Sequence, residues 1–326
     1  MLDNAAAKSR SARIGAIDMA RGLALLAMAV YHFTWDLSYF GYVDPVMVTH
    51  GGWKISARTI ASSFLILVGV SLVLAHRNGI RWRKFWLRLV EIVGAAALIT
   101  VATYYFSPDS YIFFGILHEI ALASVLGLAF LRLPSAIVFA AAALFIAAPY
   151  YLGNPAFDHP ALWWIGLSTI NPRTNDYVPL FPWFGPVLAG IGIARIAGRT
   201  GALKVAARIS LSPAKLDEGL RFLGRHALAF YLAHQPILFG LVFLFAQVHP
   251  APRPSQTELF GHACEAQCTP GRSEGFCRSF CRCVTGQLQS EGLFQDVYNG
   301  RIDTQTDPRV ARMSAECTQR AERTIP

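Results

Sequence analysis

The stretch Ile14 to Phe40, IGAIDMARGLALLAMAVYHFTWDLSYF, is long and apolar enough to cross a bilayer as one helix. It nevertheless carries four ionisable residues, which are Asp18, Arg21, His32 and Asp36. At about 100° per residue, Arg21 and His32 project within roughly 20° of each other, and the two aspartates lie about 40° to either side of His32. All four groups therefore share one stripe of the helix.

Charged groups inside a membrane span are costly, so they face a protein interior or a water-filled cavity rather than lipid. We therefore interpret this stripe as a reaction or transport path. The alternative is a set of ion pairs that only holds the helices together. Asp36 lies one turn beyond His32, and we expect it to accept a hydrogen bond from one imidazole nitrogen. The other nitrogen would then be free to act as a base.

The composition is that of a membrane protein. Of 326 residues, 54% are hydrophobic and only 15% are charged, whereas soluble domains have about 25% charged residues. Further apolar runs long enough to cross a bilayer lie at 57–75, 89–106, 112–131, 135–152, 178–196 and 227–248. We predict an all-α integral membrane protein, with a bundle of about seven transmembrane helices over residues 15–248. The first apolar run is too long for a signal peptide, so this span is expected to stay uncleaved.

Basic residues are concentrated in alternate connections of this bundle. If residues 1–14 are cytoplasmic, the cytoplasmic connections hold 16 Lys and Arg residues and the outer loops hold 3. This bias predicts a multi-pass membrane protein, surrounded by the lipid bilayer, with a cytoplasmic N-terminus. The formal net charge of +9 lies wholly in residues 1–248, and no basic surface interleaved with aromatic residues indicates nucleic acid.

Residues 249–326 form a polar tail that this topology places on the extracytoplasmic side. All six cysteines of the chain lie in it: Cys264, Cys268, Cys277, Cys281, Cys283 and Cys317. An even number of cysteines in an exported segment indicates disulfides, and six cysteines allow 15 pairings. A zinc site that includes His262 is the alternative. The cysteine spacings are not those of common zinc sites, so we expect no metal.

Two further spans place histidines in the bundle. If each helix begins at the membrane surface, a rise of 1.5 Å per residue places His118 about 9 Å below the outer surface, near the depth of His32. Glu119 points about 100° away from His118. His234 would lie about 12 Å from the inner surface, nearer to Arg21 than to His32. Two imidazoles at one depth indicate a proton-transfer site, although a histidine in a helix more often has only a packing role.

Two outer loops carry aromatic and acidic residues that suit a carbohydrate. One contains His50 and Trp53, and the other contains Asp176 and Trp183. Aromatic rings stack on sugar faces, and carboxylates accept hydrogen bonds from sugar hydroxyls. We therefore expect Trp53, Trp183, Asp176 and Glu119 to bind a sugar, with anchoring of the aromatic rings at the membrane interface as the alternative.

Four blocks of the sequence resemble one family of bacterial membrane proteins. The blocks are IDMARGLALLAMAVYHFTWDL, FFGILHEIALASVLGL, VPLFPWFGPVLAGIGIAR and LGRHALAFYLAHQPI. In this order they resemble proteins related to the catalytic domain of heparan-α-glucosaminide N-acetyltransferase, over most of residues 13–248. The spacing of Arg21 and His32 is also similar to the arginine–histidine pair of the wider transmembrane acyltransferase superfamily.

The resemblance implies a protein of the bacterial inner (plasma) membrane. It also implies an acyltransferase that takes an acyl group from cytoplasmic acyl-CoA, with acetyl-CoA as the expected donor. The acceptor would be an amino or hydroxyl group of a sugar or glycan on the far side of the membrane. Arg21 and Asp18, with His234 nearby, would shape the CoA side, and His32 would be the general base or a transient acyl carrier. The active histidine of the lysosomal enzyme follows the first helix of its catalytic domain and corresponds to His50, so both histidines are candidates.

Two other classes of function remain open. A proton-coupled transporter of a small anion or sugar would use the polar stripe as a proton relay. A structural membrane subunit would act through the cysteine-containing tail alone. Transfer from labelled acyl-CoA by detergent-solubilised protein, without a membrane gradient, distinguishes the enzyme from both.

Overall fold

The computed structural model describes residues 14–44, 47–48, 51–251, 255–269, 271–304 and 306–324. The chain divides into two compact units, Met1–Val248 and His249–Pro326.

The first unit is a bundle of helices, most of them apolar. In chain order they are α1 (Gly15–Tyr39), α2 (Gly51–Ala75), α3 (Trp82–Phe106), α4 (Ile116–Phe130), α5 (Ser135–Leu152), α6 (Leu180–Thr200), α7 (Ala202–Ala206), α8 (Ala214–Arg225) and α9 (Ala227–Val248). Six helices in the described ranges are long and apolar enough to cross a membrane, namely α1, α2, α3, α5, α6 and α9. The prediction of an all-α, multi-pass membrane protein is confirmed.

Helix α4 differs from the other predicted spans because it has only 15 residues, a length of about 22 Å. A span was predicted over 112–131, but the helix begins at Ile116. The residues before it run beside the loop that precedes α6. The Val178 N–H donates a hydrogen bond of 3.1 Å to the Phe114 carbonyl, and Phe114 forms a parallel bridge with Tyr177. The N-terminus of α4 is therefore held by this loop.

Helix α6 lies at the centre of the bundle, where Val187 and Ile191 are completely buried. Gly69 on α2 allows a close approach, because a Cβ there would lie 2.0 Å from the Val187 carbonyl oxygen. Gly190 on α6 acts in the same way, since its Cβ would lie 2.1 Å from the Ile66 carbonyl oxygen. Small residues at such contacts let membrane helices pack backbone against backbone.

Helix α8 is an amphipathic helix that packs along the start of α1. The charges of this region predicted only a cytoplasmic connection, and its helix was not predicted. A Cβ at Gly22 would lie 2.2 Å from the Leu220 carbonyl oxygen, and a Cβ at Gly224 would lie 1.7 Å from the Asp18 carbonyl oxygen. Gly224, near the end of α8, touches the backbone of Asp18, which lies about one turn into α1. Helix α9, which follows α8, therefore begins level with this part of α1 and not with the first residue of α1.

The connection between α5 and α6 is organised by a carboxylate. Asp158 accepts hydrogen bonds of 2.7–2.8 Å from the Ser168 hydroxyl, the Thr169 N–H and the Thr169 hydroxyl. The Trp163 indole N–H donates to the Asp158 carbonyl at 3.0 Å. These bonds order the segment that leads to the loop beside α4.

The second unit is a small helical domain. Its helices are α10 (Gln256–Cys268), α11 (Glu274–Ser290), α12 (Phe294–Tyr298) and α13 (Pro308–Thr324). Three disulfides connect them: Cys264–Cys281, Cys268–Cys277 and Cys283–Cys317. Cysteines four residues apart share one face of a helix, so α10 and α11 can be joined by two bonds at once. The disulfide prediction is confirmed, and the zinc alternative is wrong because all six cysteines are bonded.

Candidate active site

Two histidines from different helices form the centre of the candidate site. The ring centroids of His32 on α1 and His234 on α9 lie 5.1 Å apart, and the rings are inclined at 67°. The prediction that His234 lies nearer to Arg21 than to His32 is therefore wrong. It assumed that α9 begins at the membrane surface, whereas the contact of Gly224 with Asp18 shifts α9 along α1 and carries His234 towards His32.

The His234 ring is held in one orientation. Its Nδ1 lies 2.7 Å from the Tyr231 carbonyl oxygen, and its ring stacks on Phe230 with centroids 5.8 Å apart. His234 is only 7% exposed, whereas His32 is half-buried. The Nε2 atom of His234 is buried and has no hydrogen-bond partner among the described residues. The pair thus presents one nitrogen that is fixed in place and available to a ligand.

Asp36 does not bind His32, contrary to the prediction. This completely buried carboxylate accepts a hydrogen bond of 2.8 Å from Gln235 Nε2 on α9. Its Oδ2 atom and the Gln235 Oε1 atom have no partner in the part of the chain that the structure describes. Gln235 was not among the predicted site residues. Its place between His234 and Pro236 was nevertheless a signal, because proline interrupts helix bonding and leaves polar groups that can line a cavity.

A cavity of about 520 Å³ lies at the end of the bundle where α1 begins and α2 ends. Arg21 lines it and donates hydrogen bonds to Asp18 Oδ1 at 2.8 Å and to Ser71 Oγ at 2.5 Å. The other basic residues of its lining are His76, Arg81, Lys84, Arg88, Arg225 and His226. In the sequence, most of these side chains indicated only the membrane topology. The cavity combines a strongly positive lining with a volume typical of ligand sites.

The rest of the cavity wall is largely apolar. It is formed by Val68, Leu72, Phe85, Leu89, Ile92, Ile120 and Leu228. Neither His32 nor His234 is among the described residues that line it. His32 lies eleven residues beyond Arg21 on α1, about 16 Å along the helix. A ligand that places its anionic part in the cavity would have to extend by about this length to meet the imidazole pair.

The predicted residues Asp176, His118 and Glu119 lie at the N-terminus of α4. Asp176 Oδ2 accepts a hydrogen bond of 2.8 Å from the Ile116 N–H and so caps the helix. Burial raises the pKa of Asp176 to about 6, although the Ile116 N–H favours its charged form. Glu119 is completely buried, and neither carboxylate oxygen has a partner among the described residues. The structure thus gives Asp176 a contact within the protein and encloses Glu119.

His118 does not join the imidazole pair. Its Nδ1 accepts from the Gly115 N–H at 3.1 Å, and its Nε2 lies 3.2 Å from the Thr100 hydroxyl. Tyr231 lines the same small crevice as His118 and Asp176. Because the carbonyl of Tyr231 also holds His234, the α4 N-terminus and the imidazole pair adjoin at this tyrosine.

The predicted aromatic residues have different surroundings. Trp53 belongs to the first turn of α2 and not to a loop, and its ring lies 6.2 Å from Tyr31, which lies 5.7 Å from His32. Trp183 lies near the start of α6 and packs against the hydrophobic core. His50 lies outside the described residues. Of the predicted aromatic residues, Trp53 is therefore the one that the structure connects to the imidazole pair.

Comparison with protein families gives one match. A family model described as Heparan-alpha-glucosaminide N-acetyltransferase, catalytic, covers residues 13–236. This range contains the cavity lining, the imidazole pair and Asp36, and it ends before the second unit. Neither a curated protein nor a solved structure matches the chain. The resemblance inferred from the sequence is confirmed.

Proposed function

Because the chain belongs to the heparan-alpha-glucosaminide N-acetyltransferase catalytic family, we propose that it transfers an acyl group from acyl-CoA to a sugar or glycan. Membership of this family implies a membrane protein with an acetyltransferase-like function. Acetyl-CoA as donor, and an amino or hydroxyl group as acceptor, are the finer parts of the proposal.

The basic cavity is the observation that carries the proposal. Acyl-CoA is an elongated molecule with several phosphate charges at one end and a thioester at the other. Arginine and lysine bind phosphates through charge-assisted hydrogen bonds, and Arg81, Lys84, Arg88 and Arg225 supply such donors at the cavity. The apolar wall suits the uncharged arm of the donor, and Arg21 with Asp18 forms a polar contact within the lining.

The imidazole pair supplies the chemistry for the transfer. A histidine can accept the proton of the acceptor amine or hydroxyl while the acceptor attacks the thioester carbon. The C–S bond then breaks, and the CoA thiolate leaves and takes up a proton. His32, with His234 beside it, is central to this proposal: one of the two rings is the base in a ternary complex, or His32 carries the acyl group. His50 is the alternative carrier.

Charge and the disulfides support the orientation that we propose. The cavity lies at the end of the bundle that carries most of the basic connections, which indicates the cytoplasmic side of a bacterial inner membrane. The three disulfides of the second unit support an oxidising, extracytoplasmic location for residues 249–326. We propose that the donor binds from the cytoplasm and that the acceptor enters from the opposite side, where the Tyr31 ring lies between His32 and Trp53 in a chain of ring contacts.

Binding of the donor can be tested with a matched pair of charge variants. Lys84→Ala removes a charge from the cavity, whereas Arg83→Ala removes one from its exposed neighbour, which does not line the cavity. Loss of one charged contact to a phosphate should weaken CoA binding about 10-fold. Calorimetry of the detergent-purified full chain should show this effect for Lys84→Ala only. Equal affinities of both variants and the parent protein would contradict the assignment of the cavity.

The reaction itself can be tested with radiolabelled acetyl-CoA. The purified protein is incubated with the donor and with amino sugars or glycans in detergent, where no membrane gradient exists. Label on the acceptor, or hydrolysis of the donor that depends on the protein, supports the enzyme. Binding of CoA without any transfer or hydrolysis opposes it.

A proton-coupled transporter is the second candidate, and two buried carboxylates favour it. Asp36 and Glu119 are completely buried and have unpartnered oxygens among the described residues, as expected for sites that bind and release protons. In this case liposomes with the protein would accumulate a small anion or sugar when a pH gradient is applied. Uptake without any acyl transfer would replace the enzyme proposal with this one.

A further inference from the structure

We propose that His234, through its Nε2 atom, is the group that removes the proton of the acceptor, with His32 as its neighbour on the more accessible side. This inference rests on the proposed acyl transfer and assigns a catalytic role within it. Sequence analysis had placed His234 on the donor side, so the assignment comes from the tertiary structure alone.

The hydrogen bond of His234 determines where its proton lies. A carbonyl oxygen only accepts hydrogen bonds, so Nδ1, at 2.7 Å from the Tyr231 carbonyl, must carry the hydrogen. In a neutral imidazole the other nitrogen then has the lone pair. His234 Nε2 is therefore fixed as an acceptor, which is the form that a general base requires.

The surroundings of Nε2 leave it available. It is buried and has no hydrogen-bond partner among the described residues, and buried polar atoms in native proteins are nearly always partnered. The groups that face the ring are Phe230, Tyr231 and His32. Gln235 projects about 100° away from His234 and binds Asp36 instead. The missing partner of Nε2 is thus expected to be a substrate group.

His32 differs from His234 in its exposure and in the hydrogen bonding of its ring. It is half-buried, and the described residues include no hydrogen bond that fixes its ring. An acceptor that reaches the pair would meet His32 first, because it is the more exposed ring of the two. The centroid separation of 5.1 Å lets one small polar group contact both rings. His32 can therefore orient the acceptor while His234 takes the proton.

The transfer step is balanced with these two residues and the donor. The acceptor N–H or O–H gives its proton to His234 Nε2, and the acceptor atom forms a bond to the thioester carbon. The C–S bond breaks, and its electron pair leaves with the CoA sulfur. The His234 imidazolium then returns the proton to the thiolate, which regenerates the neutral ring.

The kinetic test uses the variant His234→Asn in the full chain. An asparagine amide can replace the Nδ1–H donor to the Tyr231 carbonyl, but it has no basic nitrogen at the Nε2 position. We expect kcat for acyl transfer to fall about 10²- to 10⁴-fold, with less than a threefold change in CoA affinity. The matched control is His262→Gln, at an exposed position of the second unit, which should leave both quantities unchanged. Retention of more than a third of the parent kcat would overturn the assignment.

A second measurement does not depend on activity. Nitrogen NMR of the histidine-labelled parent protein should show a neutral histidine protonated at Nδ1, which is the less common tautomer. His226 Nδ1 lies 2.9 Å from the Phe222 carbonyl oxygen and should give a second such signal, so His234→Asn should lose one of the two. If His234→Asn loses no such signal, the inference is wrong whatever the kinetics show. If the tautomer is present but the parent protein binds CoA without transferring its acyl group, the proposed function fails and the geometry of His234 stands.

Discussion

The two units of this chain differ in whether their buried polar atoms have hydrogen-bond partners. In the membrane bundle, Asp36, Glu119, His234 and Gln235 have buried side-chain atoms without a hydrogen-bond partner among the described residues. No such atom occurs in the described part of the second unit, where the buried Thr285 hydroxyl donates to the Cys281 carbonyl at 2.7 Å. Unpartnered buried groups reduce stability, so their concentration in one unit indicates function there.

The second unit is held together by covalent bonds around a small core. Its core is small, and domains of this size commonly need disulfides to fold. Leu288, Met313 and Cys317 form its buried centre, and three disulfides join three of its helices. Charged side chains remain on its surface, as in the pair of Arg312 with Glu291 at 3.0 Å. The difference between the units therefore separates a candidate reaction centre from a covalently stabilised module.

The largest expected effect is a loss of acyl transfer when the candidate reaction centre in the membrane bundle is changed. His32→Ala should lower acyl transfer at least about 100-fold, because it removes one ring of the imidazole pair. Deletion of residues 249–326 should leave transfer from labelled acetyl-CoA unchanged. CoA affinity, measured on both proteins, controls for loss of folding. Loss of transfer on deletion of the tail, with CoA binding intact, would show that the second unit takes part in the reaction.

The next effect concerns the covalent bonds of the second unit. The paired change Cys283→Ser and Cys317→Ser should destabilise this unit by about 2–5 kcal/mol, because it releases the constraint between α11 and α13. Hydrogen exchange of the full chain should show faster exchange in α13 and no change in α1 to α6. Unchanged exchange in α13 would mean that packing alone holds this helix.

A smaller effect tests the packing of the bundle. Gly69→Ala should destabilise the protein by about 1–3 kcal/mol, since the new Cβ would lie 2.0 Å from the Val187 carbonyl oxygen and must force α2 and α6 apart. Gly94→Ala on α3 is the control, because no atom lies within 4 Å of its Cβ position. Thermal unfolding in detergent should give a lower unfolding temperature for Gly69→Ala than for Gly94→Ala. Equal unfolding temperatures would argue against the close contact of α2 with α6.

The smallest effect depends on pH and lies in the second unit. The Arg309 guanidinium beside Asp307 lowers the pKa of that carboxyl to about 2. A carboxyl with a lowered pKa in the folded state stabilises that state above its ordinary pKa near 3.8, and the effect is lost as the pH falls towards 2. The protection factor of amides at the start of α13, which corrects for the pH dependence of intrinsic exchange, should therefore fall between pH 4 and pH 2. Asp307→Asn should exchange faster at pH 4 and lose this dependence.

Local properties of the sequence were sufficient for the class of fold. The apolar runs predicted the spanning helices because hydrophobic length is a property of each segment by itself. Their ends were less accurate, as at α2, which begins at Gly51 and so takes Trp53 out of the predicted loop. The cysteine-containing tail indicated disulfides, but only the antiparallel packing of α10 and α11 selected one of the 15 pairings.

The sequence by itself determined an all-helical membrane protein, the polar stripe on α1 and its family. Only the tertiary structure decided which groups meet: His32 with His234, Asp36 with Gln235, and Arg21 with the basic cavity. The physical reason is that helical rise gives the spacing of residues within one helix and nothing about the offset between two helices. That offset was set by the contact of Gly224 with Asp18, which no periodicity in either segment contains.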